Sequence, residues 1–476
     1  MNESDYEKVP LKTKLFGSFG SLGLNLTTNL FLTWTWIYYI YIVGIDPLRY
    51  SLAFLIYMIW NAINDPLFGH LSDRTRTKYG RRIPYLMICS PLLSINFIIL
   101  YFAPIGSSQW IKFTWLLINL FTYDAFYTIV SITFTSLLAE LSINPQERAM
   151  INLFAGIGNG IGFGIAYLLP LLLVNPVAIP YTQNKDIFQF IFIILAVLGA
   201  IFLAFTAFGI KERPELLPEK EERLGILQSI KNVLANRSFI TYSIFNFMVS
   251  YLIFSINSNL PFYIKDVLKI SKDNLIASIP LISFLTFSII GFPIILLLNK
   301  KIGNKRTLFY SLFLTIIGLI NITFSGDIIL VSISFAVVGL GFSGTLLVFT
   351  LLGDIIDQDE LKTGVRREGA YFGTDALINK PAQSVSAGIS GLVLFLTNFN
   401  QNLGVGESQP DSAIFGIKML LGVIPAIFII LGLISLWYYP LDSRTKEYKE
   451  MKRKVMVLHD GKLQRLRERL GKKTDN

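Results

Sequence analysis

Runs of twenty or more apolar residues recur from one end of this 476-residue chain to the other. No other feature limits the fold as much. A run of that length crosses a bilayer as a helix, and in lipid the backbone polar groups must be satisfied inside the segment itself. We read twelve such runs, at roughly 14–43, 50–71, 83–103, 111–141, 148–174, 187–210, 239–264, 274–299, 306–324, 328–353, 367–397 and 414–439. The chain is 53% hydrophobic and 16% charged, with a mean hydropathy of +0.55, which soluble domains do not reach. The expected fold class is an all-α membrane protein of twelve transmembrane helices in two six-helix bundles.

Charge sets the sidedness. One series of connections holds Arg74, Arg76, Lys78, Arg81 and Arg82, then Lys300, Lys301, Lys305 and Arg306, then Lys362, Arg366 and Arg367. The other holds scattered cations such as Arg49, Lys112 and Lys185. Cation-rich loops stay in the cytoplasm, so both termini are expected there, in a multi-pass protein of the cell membrane. The charged stretch KERPELLPEKEERLG divides the spans six and six. The expected units are an N-terminal bundle (1–210), a cytoplasmic linker (211–238), a C-terminal bundle (239–440) and a basic cytoplasmic tail (441–476). The tail carries Leu458, Leu463, Leu466 and Leu470 among Lys and Arg, and reads as an amphipathic helix on the inner leaflet or as a solvated one. Two cation-rich loops echo each other, GRRIPYL and GNKRTLFY, each a Gly, a basic cluster and a new apolar span.

Several function classes drop out. The net charge of +10 flanks apolar spans, so membrane lipid rather than nucleic acid is its expected partner. The single cysteine, Cys89, excludes an internal disulfide and a cysteine metal cage. The two histidines, His70 and His459, are far apart in sequence. No Walker-type motif appears, nor any cluster of catalytic type. An enzyme is not expected, and no cofactor is called for. The polar N-terminus, MNESDYEKVPLKTK, lacks the apolar core of a cleaved signal peptide.

The polar residues inside the spans carry the functional expectation. Midplane lies roughly 10–15 residues into a span. That ruler places Asn25 (first span), Asn61 and Asp65 (second), Asp124 (fourth) and Asp375 with Lys380 (eleventh) at one depth. Ionisable groups there are costly and mark solute or ion pathways. The bland alternative is an Asp–Lys pair that locks two helices. Asn61 and Asp65 are one helical turn apart and share a face, as do Asp124, Thr128, Ser131 and Thr135. Oxygen ligands one turn apart suit sodium, and a lone carboxylate suits a proton. The aromatic run Trp34–Ile42 reads as an interfacial anchoring belt, with a sugar-stacking platform as the alternative. At the basic end, Asp73, Arg74, Gly80, Arg81, Arg82 and Arg366 are expected to form a cytoplasmic gate with Asp354 and Asp357, joined by Asp359 and Glu360.

Four blocks carry a family resemblance: NDPLFGHLSDRTRTKYGRRIPY, LFGSFGSLGLNL, ERAMINLFAGIG and LLGDIIDQDELKTGVRREGAYFGTDALINK. Together they resemble the glycoside–pentoside–hexuronide:cation symporters of the major facilitator superfamily. The resemblance implies alternating access and cation-coupled symport of a sugar, glycoside or related small polar solute. A lysophospholipid or other amphiphile, handled by a relative of the same fold, is the alternative. It implies a cation site at Asn61 and Asp65, a metal site only if the coupling ion is Na+ rather than H+. It implies coupling through Lys380 and a solute site around Asn25, Ser131 and Lys380. Asn25 and Ser131 stand where the family has sugar-binding aspartates, Asn61 where it has a cation-binding aspartate, and Gly156 where it has an arginine. From spacing alone, Asp124 with Thr128 becomes the candidate replacement for the lost carboxylate. The oligomeric state stays open.

Overall fold

The computed structural model describes residues 8–75, 77, 80–139, 141–142, 145–173, 185–212, 226–270, 274–365, 367–401, 403, 408–458 and 461. Within these ranges the side chains of Asp65, Asp73 and Arg74 fall outside the description. Apart from an isolated bridge between Thr77 and Gly80, the described residues form helices, turns and loops.

Six crossings make the first half. They are α1 (Leu11–Ile37, running on as a π-helical turn, Tyr38–Val43), α2 (Pro47–Arg74), α3 (Ile83–Leu100), α4 (Gln109–Ala139), α5 (Pro145–Leu173) and α6 (Lys185–Gly209). A short helix, α7 (Ile226–Leu234), leads to the second half. There α8 (Arg237–Phe262) ends in a second π-helical turn (Tyr263–Val267) and is followed by α9 (Asn274–Ile302) and α10 (Asn304–Phe324). The last three crossings are broken. One is α11 (Ile328–Phe342), a 3-10 turn and α12 (Val348–Thr363). The next is α13 (Glu368–Asn379) with α14 (Pro381–Leu396), and the last is α15 (Asp411–Leu421) with α16 (Val423–Trp437).

Nine of these crossings are apolar and long enough to span a membrane, among the described residues. The other three are α1, α2 and the α13–α14 pair. All three take part in the seam between the halves: α2 packs on α13 and α14, and α1 packs on α8, while the apolar α5 and α9 also meet there. A helix that faces protein over part of its surface tolerates more polar side chains than one facing acyl chains.

The sequence echo is real at atomic scale. Gly80 (φ 110°) and Gly303 (φ 83°) both precede the third helix of their half in the left-handed region. The carboxylate of Glu212, just past α6, accepts from the backbone N–H groups of Arg81, Arg82 and Ile83 at 2.9, 2.6 and 2.9 Å. It thereby satisfies orphan donors at the start of α3 and sits at the positive end of its dipole. In the second half the hydroxyl of Ser443, just past α16, accepts from the N–H of Asn304 at 3.2 Å. A Cβ on Gly80 would stand 2.4 Å from the Glu212 carboxylate, and one on Gly303 would stand 2.4 Å from the Ser443 hydroxyl. At the other end the device repeats. Tyr39 in the first π-turn donates to Leu100 O at the end of α3 (2.7 Å). Tyr263 in the second donates to Ile322 O and Ser325 O at the end of α10 (2.9 and 2.8 Å).

Candidate functional site

The seam between the halves is the candidate site, and α4 supplies its central acid. Asp124 is buried (2% exposed). Tyr57 donates to it from α2 at 2.8 Å, and the amide of Asn64, also on α2, donates to its other oxygen. Tyr57, Asn61 and Asn64 recur at helical spacing and present one stripe of α2. Among the described residues, the buried amide oxygens of Asn61 and Asn64 have no hydrogen-bond partner, and an unmet buried acceptor is expensive unless a ligand meets it.

The second half reaches this pocket through Lys380. Span 11 breaks there, between α13 and α14, because Pro381 has no N–H to continue the ladder. Lys380 itself keeps helical backbone angles (φ −56°, ψ −40°), so the chain loses a hydrogen bond there without unwinding. From the break, the Lys380 ammonium donates to Thr128 Oγ1 at 3.3 Å and lies 6.0 Å from the Tyr127 ring centroid. Thr128 is one turn beyond Asp124 on α4. The structure therefore brings Lys380, Thr128 and the Asp124 pocket together across the seam.

The other expected residues spread out. Asn25 donates to Ser21 O at 3.2 Å and to Asn159 Oδ1 on α5 at 2.5 Å, fixing α1 to α5. Ser131 is partly buried, and its carbonyl takes the Thr135 hydroxyl at 2.8 Å. A Cβ at Gly156 would meet nothing within 4 Å. Asp375 is buried within its own half, where it accepts from Asn246 on α8 (3.2 and 3.3 Å) and from Asn379 (2.6 Å). The side chain of Asp65 lies outside the described residues.

The aromatic run departs from the anchoring belt. Trp34, Trp36, Tyr38, Tyr39 and Tyr41 are 7% exposed or less. Trp34 donates to Ala166 O at 3.0 Å, and Tyr41 donates to Asp266 across the seam at 2.5 Å. Lys265 lies 3.4 Å from the Tyr41 ring centroid. The first helix of the half is interior: Trp34, Tyr38 and Tyr39 pack within their own half, and Trp36 and Tyr41 face the opposite one.

Of the gate residues, the side chains of Asp73 and Arg74, and the whole of Arg366, lie outside the described residues. Arg81 and Arg82, with Ile83, hold the Glu212 carboxylate through their backbone N–H groups, and Gly80 packs against it. Asp354 and Asp357 both contact Lys452 of the tail at 2.6 Å, and Tyr448 donates to Asp354 at 2.8 Å. The tail is helical over 446–458, with Val455 buried; Leu463, Leu466 and Leu470 lie outside the described residues. These carboxylates hold the Lys452 ammonium in its charged form and push its pKa up against the opposing effect of burial.

Five contacts were not anticipated from sequence: Tyr57 and Asn64 at Asp124, Asn159 at Asn25, Glu212 at α3, and Lys452 at α12. Only the first pair had a readable signal, the 57–61–64 stripe. The rest depend on which helices become neighbours.

The match to known proteins covers the same architecture. A model of the MFS/sugar transport protein family matches residues 16–443. The chain belongs to that family. It is similar to the isoprimeverose transporter of Lactiplantibacillus pentosus, with 24% identity covering 91% of this chain and 90% of that one. It is also similar to the sodium-dependent lysophosphatidylcholine symporter 1 of Mus musculus, with 24% identity covering 95% and 90%. In fold it is similar to the crystal structure of a D-xylose-proton symporter, with a TM-score of 0.65 and 15% identity covering 90% of this chain and 96% of that one. The major facilitator fold of two six-helix halves follows, and this family member is a multi-pass membrane transporter of small solutes rather than an enzyme.

Proposed function

We propose that the chain is a sodium-coupled symporter of a glycoside-sized sugar solute, working by alternating access in the cell membrane with both termini cytoplasmic. The contact that carries the reading is Lys380 on Thr128, one turn from Asp124: the cation of one half reaches a helix of the other beside its buried carboxylate, where the halves must slide past each other. Such groups at depth belong to ion and solute paths. Sodium is favoured over a proton by the donor set. Amide oxygens such as those of Asn61 and Asn64 bind a hard cation, and they take no proton near neutral pH. The solute class is supported by the family and by the relative that carries isoprimeverose.

Uptake of labelled isoprimeverose and glucuronides into proteoliposomes, under an imposed sodium or proton gradient, tests this. Sodium-driven accumulation is expected. Accumulation driven by the proton gradient alone would replace the ion, and uptake indifferent to both would remove the coupling. The mouse relative's name motivates a second reading, lysophospholipid transport. Competition by lysophosphatidylcholine in the same vesicles, at concentrations below its micellar range, would favour it.

A further inference from the structure

The two echoed basic loops are used differently. In the first half the loop turns inward: Arg82 is buried, and the Glu212 carboxylate takes three N–H groups at the start of α3. At the matching place in the second half, the start of α10, the capping group is the neutral hydroxyl of Ser443. Around it Lys300, Lys301, Arg306 and Arg444 are all exposed. Among the described residues, none of these four makes an ion pair.

The cations come from both ends of the half. A Cβ on Gly303 would stand 3.2 Å from Cγ of Arg444. The Lys305 ammonium donates to the carbonyls of Trp437 and Tyr439, each at 2.7 Å, and so ties the end of α16 to the start of α10. Residues 300–306 and 442–444 hold five cations and one acid, Asp442. That acid accepts from the N–H of Arg444 at 3.0 Å and acts on Lys305, which leaves the four exposed cations uncompensated. Directly beyond them the surface is apolar. Arg306 heads a stripe of α10 that continues at helical spacing through Tyr310, Phe313 and Ile317, all exposed. Lys301 stands one turn past the exposed Leu297 on α9, and the exposed Trp437 and Tyr438 end the last crossing. All three crossings are apolar and long enough to span a membrane, and aromatic side chains at such ends lie at headgroup level. Charge that only sets topology needs no particular place within a loop. Here it converges on one lipid-facing surface, where the other half of the molecule places a carboxylate.

We propose that this surface is a binding site for the headgroup of an anionic phospholipid. Its phosphate would lie beside Arg306 and Arg444, in the place that the Glu212 carboxylate takes in the first half, and its chains would run along Tyr310, Phe313 and Trp437. Lys300 and Lys301 add to the attracting field. The lipid is a resident of the carrier and not its cargo, so the site stands apart from the sugar reading.

The test offers full-length protein in detergent equal amounts of phosphatidylglycerol and phosphatidylcholine with identical chains, and counts retained lipid by native mass spectrometry. The wild type is expected to retain phosphatidylglycerol over phosphatidylcholine by about tenfold, since each cation near a membrane surface is worth about fivefold. Arg306→Gln with Arg444→Gln is expected to bring the two lipids within about twofold of each other. Arg306→Lys with Arg444→Lys keeps both charges and is expected to keep most of the preference. Lys231→Gln with Lys362→Gln removes the same charge from exposed positions on α7 and α12 and is expected to leave the preference in place. Equal retention of both lipids by the wild type, a preference that survives the Arg-to-Gln pair, or an equal fall in the Lys231 and Lys362 pair overturns the site. Displacement of phosphatidylglycerol by millimolar inorganic phosphate would make the ligand a soluble anion and overturn the lipid assignment.

Discussion

The two halves share their scaffolding and differ in their charges. Each half caps its third helix with a residue just past its sixth, Glu212 in one and Ser443 in the other. Each ends its first helix in a π-helical turn whose tyrosine bonds the far end of that third helix. The buried carboxylates part company. Asp124 is held by another helix, next to two unmet amide oxygens and close to the cation arriving from the opposite half. Asp375 is held by amide donors of its own half. The repeat is thus kept where it builds helices and abandoned around the candidate site. Both acids are held by donors of their own half, but Asp124 lies one turn from Thr128, which takes Lys380 from across the boundary; a buried carboxylate beside such a contact is the better candidate for coupling.

The sharpest way to break this contrast is to neutralise both acids. Asp124→Asn is expected to lower sodium-driven accumulation by about 100-fold, close to 2.7 kcal/mol at 1.36 kcal/mol per tenfold. Asp375→Asn is expected to stay within about threefold, since an amide can keep part of the network. The measurement is initial uptake in proteoliposomes normalised to inserted protein. Equal losses would erase the distinction. Next in size is the bridge itself. Lys380→Met removes the charge but keeps much of the stem, and is expected to cost about tenfold in the same assay, while Lys380→Arg recovers part of it.

Asn61 offers a test in the opposite direction. The family resemblance places a second cation-binding aspartate there, and Asn61→Asp would restore it. Adding an anionic oxygen to a hard-cation site tightens it. The half-saturating sodium concentration is expected to fall about five- to tenfold. If it rises, or if protons displace sodium as the driving ion, then the added carboxylate has become a proton site and the amide oxygens are not cation ligands.

Much of this was legible before any coordinates. Twelve apolar runs fix the crossings because lipid leaves the backbone no other arrangement. The depth ruler put Asp124 and Lys380 at one level because the rise per residue of a helix is constant, and Lys380 does reach Thr128, one turn from Asp124. It could not tell Asp124 from Asp375, because that difference lies in which helices face each other. The aromatic run Trp34–Ile42 misled for a related reason. Tyr and Trp near a membrane interface serve an anchoring belt and an interior seam equally well, and only the packing of α1 against α8 decides between them. Glu212 was invisible because it sits in a charged loop, where one carboxylate among several looks like solvated surface.

The scaffolding half of the comparison is sharpened by removing the caps. Glu212→Ala takes away three accepted hydrogen bonds at once and is expected to cost about 2 kcal/mol of stability, whereas Ser443→Ala costs about 0.5–1 kcal/mol. Thermal unfolding in detergent reads both. A larger loss from the serine would mean that the two caps are not equivalent devices.

The smallest expected effect is a pH dependence at Glu147, on the first turn of α5. The Lys14 ammonium 2.7 Å away and the Val9 N–H at 3.0 Å hold its carboxyl below the usual glutamate range. A depressed pKa means that the ionised form is preferred in the folded protein. The contribution is therefore complete above the ordinary glutamate pKa and is lost as pH falls through the lower folded value. Glu147→Gln should melt slightly below wild type at pH 7, and the gap should close as the buffer is made acidic. Partial exposure of the pair keeps the gap small, and salt should narrow it further. A gap that instead widened toward acid pH would show that Glu147 gains its stabilising contact on protonation, and that the anchoring of the N-terminal segment to α5 is not ionic.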